Sequence, residues 1–165
     1  MKVAQVVAAI LRLTGVQPDT VDAVRFELVA PTIVEESEAF GFDPLLVTAL
    51  IYAESRFDPN AKNAKTGAVG YLQLLRGGAV PGALAEMSDA ALSRPRRNLA
   101  IGLSYLSQLR EKCSRGPVAY LSLWGGFGSC RPSDFSRSVV ATWKALRKVA
   151  DGTTNGHAAI AERGP

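Results

Sequence analysis

The residue with the clearest chemical potential is Glu54, which ends the most apolar stretch of the chain. It is the only acid of the predicted helix that begins at Leu45. A carboxyl group held against apolar neighbours loses the solvation of its charged form, which raises its pKa. A raised pKa suits a general acid that works near neutral pH. The helix alone leaves two interpretations of Glu54 open: a general acid, or a structural glutamate at a helix end that points into solvent.

The element that must position Glu54 is predicted as a buried helix from Leu45 to about Ser55. Asp43-Pro44 combines an N-capping carboxylate with a proline at the first helical position, which is a strong start signal. Asp58-Pro59 is expected to end the helix. Because the run between these signals is almost wholly apolar, we expect this helix to lie at the centre of the core.

Two further helical stretches precede it. Apolar residues at helical spacing over positions 3–11 predict an amphipathic helix over roughly 2–14 rather than a secretory signal. A second helix is expected to begin near Asp19 or Thr20. Pro31 either breaks it or opens a new helix that stops at Gly41. No segment approaches the length of a transmembrane span.

After the central helix the sequence changes character. Residues 59–82 are rich in glycine and proline and predict an irregular segment, with short strands around 69–75. Helical spacing returns at Leu99–Leu109, a short apolar helix follows over 118–124, and Ser133 is a candidate N-cap for the last helix. The predicted fold is mainly α, with an irregular or β-containing segment at 59–82.

Length and composition are those of one ordinary globular domain, with 165 residues, 47% hydrophobic and 21% charged. We expect N-terminal helices over 1–40, a main domain over 41–150, and a flexible or partner-docked tail over 151–165 that contains His157. Cys113 and Cys130 form either one disulfide or two reduced thiols. The inventory of one histidine and two cysteines supports no zinc site, and no metal or cofactor is predicted.

The net charge is +4 and the pI about 9.3, so the surface should attract polyanions. Nucleic acid, acidic lipid and a carboxylate-bearing cell-wall polymer are the candidate partners. The last helix carries a basic face, which is more often solvated than a binding patch; its residues are Arg137, Lys144, Arg147 and Lys148.

Three segments, in order, resemble the motifs of the soluble lytic transglycosylases and goose-type lysozymes. The first is Ala49-Leu-Ile-Tyr-Ala-Glu-Ser-Arg-Phe-Asp-Pro59, which contains their Glu-Ser step. The second is Gly67-Ala-Val-Gly-Tyr-Leu-Gln-Leu-Leu75, a Gly-Ala-x-Gly run that leads into a hydrophobic-Gln step. The third is Asn98-Leu-Ala-Ile-Gly-Leu-Ser-Tyr-Leu106, in which the asparagine is expected to begin a helix. Together the motifs cover about residues 42–128.

The resemblance implies a lysozyme-like helical fold with a glycan-binding groove and peptidoglycan glycan strands as the partner. Glu54 would protonate the glycosidic oxygen between N-acetylmuramic acid and N-acetylglucosamine. As a carboxylate it would then accept the C6 hydroxyl proton while that oxygen closes on C1. The expected product is a 1,6-anhydro sugar, formed without water.

The resemblance also implies a set of substrate-binding residues around the acid. Ser55 is expected near the sugar or holding the carboxylate, Gln73 beside the acid, and Tyr105 with its hydroxyl facing the glutamate. Tyr71 is a further candidate for substrate binding, and so is Trp124, although Trp124 stands at a position where this chain departs from the family. For the first three the simpler alternatives are helix termination, a turn amide and core packing, respectively.

The distribution of acids favours transglycosylation over hydrolysis. Glycoside hydrolysis usually needs two carboxylates, and after Asp58 no acid occurs until Glu86. Asp58 itself precedes a proline, where turn formation is the simpler role. A single carboxylate suits attack by a nucleophile already tethered to the substrate. A lysozyme-type hydrolase stays open as an alternative, since Asp134 or Glu38 could fold inward.

The chain departs from the family in the fourth motif. Where relatives have Ala-Tyr-Asn-Ala-Gly, this chain has Ser122-Leu-Trp-Gly-Gly126, so Leu123 replaces a tyrosine and Trp124 an asparagine. Leu74-Leu75 also replaces the usual Met-Pro. A tryptophan can stack on a sugar ring, so saccharide binding is compatible with the change.

These departures keep a non-catalytic alternative open, namely a wall-binding or structural component of a phage tail or secretion apparatus. The expected place of action is the bacterial cell wall, and since no signal peptide is apparent, delivery by a virion or an export machine would reconcile the two. A nucleic-acid-binding protein is the least favoured alternative, because it rests on charge alone.

Overall fold

The computed structural model describes residues 1–18, 20–80 and 82–161, with side chains through residue 151 apart from residue 83. Within these residues the protein is a helical assembly in which one irregular segment separates the third helix from the rest. The helices are α1 (Val3–Thr14), α2 (Val21–Ala39), α3 (Pro44–Ser55), a short 3-10 turn (Gly82–Leu84), α4 (Asp89–Leu92), α5 (Pro95–Lys112), α6 (Pro117–Trp124) and α7 (Asp134–Ala161).

Helix α3 is the centre of the molecule, as its apolar sequence predicts. The Asp43 side chain accepts a hydrogen bond from Leu45 N at 2.9 Å, and Pro44 occupies the first helical position. Every residue from Pro44 to Ile51 is buried. The helix ends at Ser55, three residues before the expected Asp58-Pro59 signal. It ends there because Arg56 and Phe57 adopt left-handed backbone conformations, with φ of 54° and 64°.

The first two helices begin and end close to the predicted positions, but the prediction for the middle of the second helix needs a correction. Helix α1 ends before Gly15, and Thr20 caps α2 by accepting a hydrogen bond from Ala23 N at 3.3 Å; Asp19, the other candidate cap, lies outside the described residues. The prediction that Pro31 interrupts α2 was wrong. The proline lies inside a continuous helix, because packing on both sides outweighs one missing backbone hydrogen bond; the buried residues are Phe26, Val29, Ala30, Ile33 and Val34.

The described part of the predicted irregular segment, residues 59–80, is held by isolated bridges and contains no full strand. The bridges join Lys62 to Val69, Val69 to Leu74, and Arg76 to Val80. Gly70 turns the chain with φ +78°. A Cβ at Gly70 would lie 2.4 Å from Asn98 Nδ2, so only glycine fits where this segment meets α5.

Helix α5 begins at Pro95, so Asn98 lies in its first turn and does not begin it as expected. Its side chain faces inward and is fully buried. Oδ1 accepts from Leu72 N at 2.8 Å, while Nδ2 donates to the carbonyls of Val69 and Leu92 at 3.2 and 3.1 Å. One amide therefore pins the irregular segment to the helix that carries Tyr105.

The C-terminal part follows the prediction up to the tail. Helix α6 ends at Trp124, and Ser133 caps α7 by accepting a hydrogen bond from Ser136 N at 3.2 Å. The backbone of α7 continues through Ala161, and the flexible or partner-docked character predicted for residues 151–165 stays a prediction. Residues 162–165, the rest of the predicted tail, lie outside the described residues.

Cys113 and Cys130 form a disulfide with their Cα atoms 5.8 Å apart, which settles the choice that the sequence left open. The bridge ties the end of α5 to the loop between α6 and α7. No helix in the described part of the chain is long and apolar enough to cross a lipid bilayer.

Candidate active site

The C-terminal end of α3 opens into a cleft of about 570 Å³. The irregular segment forms one wall, and the end of α6 with the loop that follows forms the other. Glu54 lies on this cleft together with three of the other residues predicted from the sequence. The lining residues include Glu54, Asn63, Thr66, Gln73, Leu75, Tyr105, Leu123, Trp124, Phe127 and Phe135.

The carboxyl group of Glu54 is largely removed from water, and this burial raises its pKa from 4.5 to about 7. A hydrogen bond from Trp124 opposes the effect but does not cancel it. A group with such a pKa is substantially protonated at neutral pH, which is the state that a general acid needs. The pKa increase anticipated from the apolar helix is therefore present.

Trp124 provides the closest polar contact to the acid. Its indole Nε1–H donates to Glu54 Oε1 at 2.7 Å, and its ring lies 5.8 Å from that of Tyr105 between centroids. The sequence predicted a sugar-stacking residue here and missed this bond. The identity of the residue could have indicated this hydrogen bond, because the indole N–H of a tryptophan is a donor, like the asparagine amide that it replaces.

Gln73 lies on the cleft with an amide that the backbone orients. Its Nε2 donates to the carbonyls of Ala61 and Gly70, both at 3.1 Å. Because both partners are acceptors, the amide nitrogen must face them and Oε1 must face away. The backbone of Gln73 has φ 44°, a left-handed conformation that is uncommon outside glycine. Both the turn role and a binding role are compatible with this geometry.

Tyr105 lies on the cleft beside Trp124, but its contact with the acid is indirect. Among the described residues, Glu54 accepts its side-chain hydrogen bond from Trp124 and none from Tyr105. The aromatic contact instead places Tyr105 against the indole that holds the carboxyl group.

The structure does not bring Ser55 and Tyr71 to this cleft. The Ser55 hydroxyl donates back along its own helix to the Ile51 carbonyl at 3.3 Å, as helix-terminal serines commonly do. Tyr71 is buried in the core, and desolvation raises the pKa of its hydroxyl. The Ser55 hydroxyl thus bonds within its own helix, and the Tyr71 side chain packs in the hydrophobic core.

Within the described residues, Glu54 is the only acid that lines the cleft. Asp58 accepts a hydrogen bond from Asn60 N at 2.8 Å, the turn role anticipated for it. Asp134 is fully exposed and pairs with Arg137, and Glu38 pairs with the N-terminal amine. None of these acids stands opposite Glu54 as a second catalytic carboxylate would.

The family profile described as "Transglycosylase SLT domain" matches residues 31–144, more than half of the chain. The chain belongs to this family. Among similar proteins, the endo-type membrane-bound lytic murein transglycosylase A of Klebsiella pneumoniae is 39% identical over 95 residues, which cover 54% of this chain and 44% of that protein. The membrane-bound lytic murein transglycosylase F of Desulfosudis oleivorans is 34% identical over 82 residues, 50% of this chain and 17% of that protein.

Among solved structures, this SLT domain is similar to an inactive mutant of the lytic transglycosylase Slt of Pseudomonas aeruginosa. The TM-score is 0.60 at 22% identity, over 73% of this chain and 24% of that one. This similarity confirms the predicted fold class. The SLT domain thus spans less than half of the length of these relatives.

Proposed function

We propose that this SLT domain is a peptidoglycan lytic transglycosylase, which cleaves the β-1,4 bond between N-acetylmuramic acid and N-acetylglucosamine and leaves a 1,6-anhydro end. The observation that carries the proposal is the carboxyl group of Glu54, which lies in the cleft with a pKa of about 7. Family membership and the names of the similar proteins support the same activity.

In the first step the neutral acid protonates the glycosidic oxygen. The indole N–H of Trp124 can only donate, so Glu54 Oε1 acts as the acceptor, and because a carbonyl oxygen accepts more strongly than a hydroxyl oxygen, the acidic proton is favoured on Oε2. Oε2 is then the atom that gives its proton to the leaving oxygen as the bond from C1 breaks. Trp124 thereby selects which oxygen of the carboxyl group delivers the proton.

In the second step the resulting carboxylate removes the proton from the C6 hydroxyl while that oxygen bonds to C1. The proton returns to Glu54, so the acid is regenerated and no water is consumed. The bond from Trp124 becomes charge-assisted when Glu54 is ionised, which stabilises the intermediate state. The Oε1 of Gln73, which accepts no hydrogen bond from the described residues, offers an acceptor to a sugar hydroxyl or acetamide N–H.

Transglycosylation is favoured over hydrolysis because Glu54 has no carboxylate opposite it in the described part of the cleft. A hydrolase normally places a second carboxylate about 5–9.5 Å away to act as nucleophile or to activate water. An intramolecular C6 hydroxyl needs no such partner, because it is already held beside C1.

The same proposal places the domain at the bacterial cell wall, outside the cytoplasm. The Cys113–Cys130 disulfide supports this, because disulfides persist in oxidising compartments. We also propose that residues 41–150 form the catalytic unit on which residues 1–40 pack. Association with a phage tail or a secretion assembly stays a prediction, which detection of the chain in purified particles would test.

The experiment compares three proteins on purified peptidoglycan, with released fragments analysed by mass. The wild type should release anhydro-muropeptides, and Glu54→Gln should lower the rate by at least about a hundredfold. Glu111→Gln is the matched control, because Glu111 is an exposed glutamate of α5 outside the cleft. Reducing ends would indicate a lysozyme-type hydrolase. Binding without fragments would favour a non-catalytic wall-binding role.

A further inference from the structure

Phe127 is an exposed aromatic side chain on the wall of the cleft. The side chain of Phe127 is 56% exposed. Among the described residues, no other aromatic side chain is as exposed to solvent. Single exposed apolar residues are common on protein surfaces. The position of Phe127 is what distinguishes it, because it lines the same cleft as Glu54.

The loop that carries Phe127 is held in place by several contacts. Phe127 N donates to the Ser122 carbonyl at 3.2 Å, and Gly126 N donates to the Leu123 carbonyl at 3.0 Å. The disulfide bond of Cys130, three residues after Phe127, anchors the C-terminal side of the loop to Cys113. The ring is therefore presented from a fixed backbone, so that little conformational entropy is lost when a ligand binds.

Gly125 allows the ring to lie close to the loop. A Cβ at Gly125 would come within 2.9 Å of both the Phe127 and Phe135 rings. Glycine thus lets the two aromatic side chains approach the backbone from the cleft side. A larger residue at this position would displace one of the rings.

Trp124, the residue expected to stack on a sugar ring, is engaged elsewhere. Its polar edge donates to Glu54 and its ring contacts Tyr105. Leu75, 41% exposed, lines the cleft from the irregular segment on the opposite wall. A chain of sugars in the cleft would therefore meet exposed apolar surface from both sides, with an aromatic ring on one of them.

We propose that Phe127 is a glycan-binding residue of this cleft, and that its ring covers the apolar C–H face of one N-acetylated pyranose of the strand. This inference rests on the proposed function, since it names how the same cleft holds its substrate. A pyranose turns C–H groups toward one face, and covering that face with a phenyl ring removes apolar surface from water on both partners. Phe127 acts in binding and takes no part in proton transfer.

The test separates binding from chemistry. Soluble peptidoglycan glycan strands serve as substrate for steady-state kinetics of anhydro-end formation, and the same strands serve for binding in a Glu54→Gln background. Phe127→Ala should raise KM and Kd about tenfold, the factor expected when roughly half of a phenyl ring loses its contact. The kcat should stay within about twofold of wild type, because uniform binding is what is lost.

Two further variants control for folding and for loss of an exposed apolar side chain. Phe127→Tyr keeps the ring and should bind the strands nearly as the wild type does. Leu28→Ala removes a side chain that is 74% exposed on α2, away from the cleft, and should leave KM unchanged. Thermal melts should match among all three variants, because the altered side chains are largely exposed.

Unchanged KM and Kd in Phe127→Ala, or an equal change in Leu28→Ala, would overturn the inference. A fall in kcat at constant KM would overturn it as well, since that result places Phe127 in the chemical step. If the wild type forms no anhydro ends, the proposed function fails, and the binding measurements still decide the role of Phe127 separately.

Discussion

At the scale of single residues, two opposing effects set the behaviour of Glu54. Burial at the end of α3 disfavours the carboxylate, and the hydrogen bond from Trp124 favours it. Burial is the larger effect, so the pKa lies near 7 instead of near its ordinary value. The indole bond nevertheless limits the increase, which keeps the group able to act both as acid and, once ionised, as base.

The first prediction concerns Trp124→Phe, which keeps a ring beside Tyr105 and removes the N–H donor. Wild-type activity should fall as pH rises through about 7, because the acid form of Glu54 is lost. Removing the donor should raise the pKa of Glu54 further, so the alkaline limb of the kcat profile should move to higher pH. The rate below that limb should fall, because the carboxylate loses a charge-assisted bond.

The chain offers a matched control in Trp143→Phe. That indole also donates to a carboxylate, Asp43 Oδ2 at 2.9 Å, but lies outside the cleft. Its pH profile should coincide with that of the wild type. A profile for Trp124→Phe that stays in place or moves to lower pH would contradict the role assigned to the indole.

A second prediction concerns the free energy of unfolding of Glu54→Gln. In the unfolded chain Glu54 ionises at its ordinary pKa of 4.5, whereas in the folded protein it keeps its proton until about pH 7. The unfolded state therefore binds fewer protons between these values, and wild-type stability falls as pH rises across this window.

Glutamine does not titrate, so the variant should lack this loss. Its stability relative to wild type should increase from pH 4.5 to 7 and then level off, with a total gain of about 1–3 kcal/mol. Urea unfolding across this range measures it. A stability difference that is independent of pH would show that the carboxyl group is solvated.

At the scale of elements, the site depends on how the irregular segment is attached to α5. Asn98 makes the attachment through three buried hydrogen bonds to backbone groups on both sides of it. Gly102, one turn along, lets Leu72 approach so closely that a Cβ there would lie 2.5 Å from Leu72 Cδ1. These two residues fix the wall that carries Gln73 relative to Tyr105.

The third prediction is that Asn98→Ala lowers the free energy of unfolding by about 2–4 kcal/mol, because buried backbone groups lose their partners. Activity should fall with it, since the wall of the cleft is released. Asn60→Ala, at an exposed position of the same segment, should change stability by less than about 0.5 kcal/mol. Equal effects of the two substitutions in chemical denaturation would contradict the attachment.

Local sequence signals were sufficient to predict some structural features and insufficient to predict others. Asp43-Pro44 and Ser133 cap helices as predicted, because capping depends on the residues next to the helix end. Pro31 was misjudged, because burial on both sides of a proline is a property of the tertiary structure. The Trp124–Glu54 bond spans 70 positions in the sequence, and Phe127 could be assigned to the cleft only once its loop had been placed.

At the scale of the whole molecule, the core is continuous from the N-terminal helices to α7. Residues of α1 and α2 share one buried cluster with α3, α5, α6 and α7. The loop that carries Phe127 lies outside this core, and its attachment depends on backbone hydrogen bonds and on the Cys113–Cys130 bridge. The disulfide is thus the covalent link between the core and one wall of the cleft.

The fourth prediction is that the double variant Cys113→Ser, Cys130→Ser loses about 3 kcal/mol of stability, the magnitude expected for a bridge that closes a loop of this length. Its affinity for glycan strands should fall as well, because the loop that carries Phe127 is no longer linked to α5 by the disulfide. Thermal melts with and without a reductant measure the first effect. The variant should not respond to the reductant, whereas the wild type should melt lower in its presence.

The central claim, that Glu54 works with the substrate's own C6 hydroxyl and without water, is tested most directly by digesting purified peptidoglycan in water enriched in heavy oxygen. We expect wild-type fragments to carry 1,6-anhydro ends that contain none of the heavy isotope, and Glu54→Gln to release such fragments at least about a hundredfold more slowly. Fragments with reducing ends that carry the heavy isotope at C1 would contradict the claim, because they require water as the nucleophile.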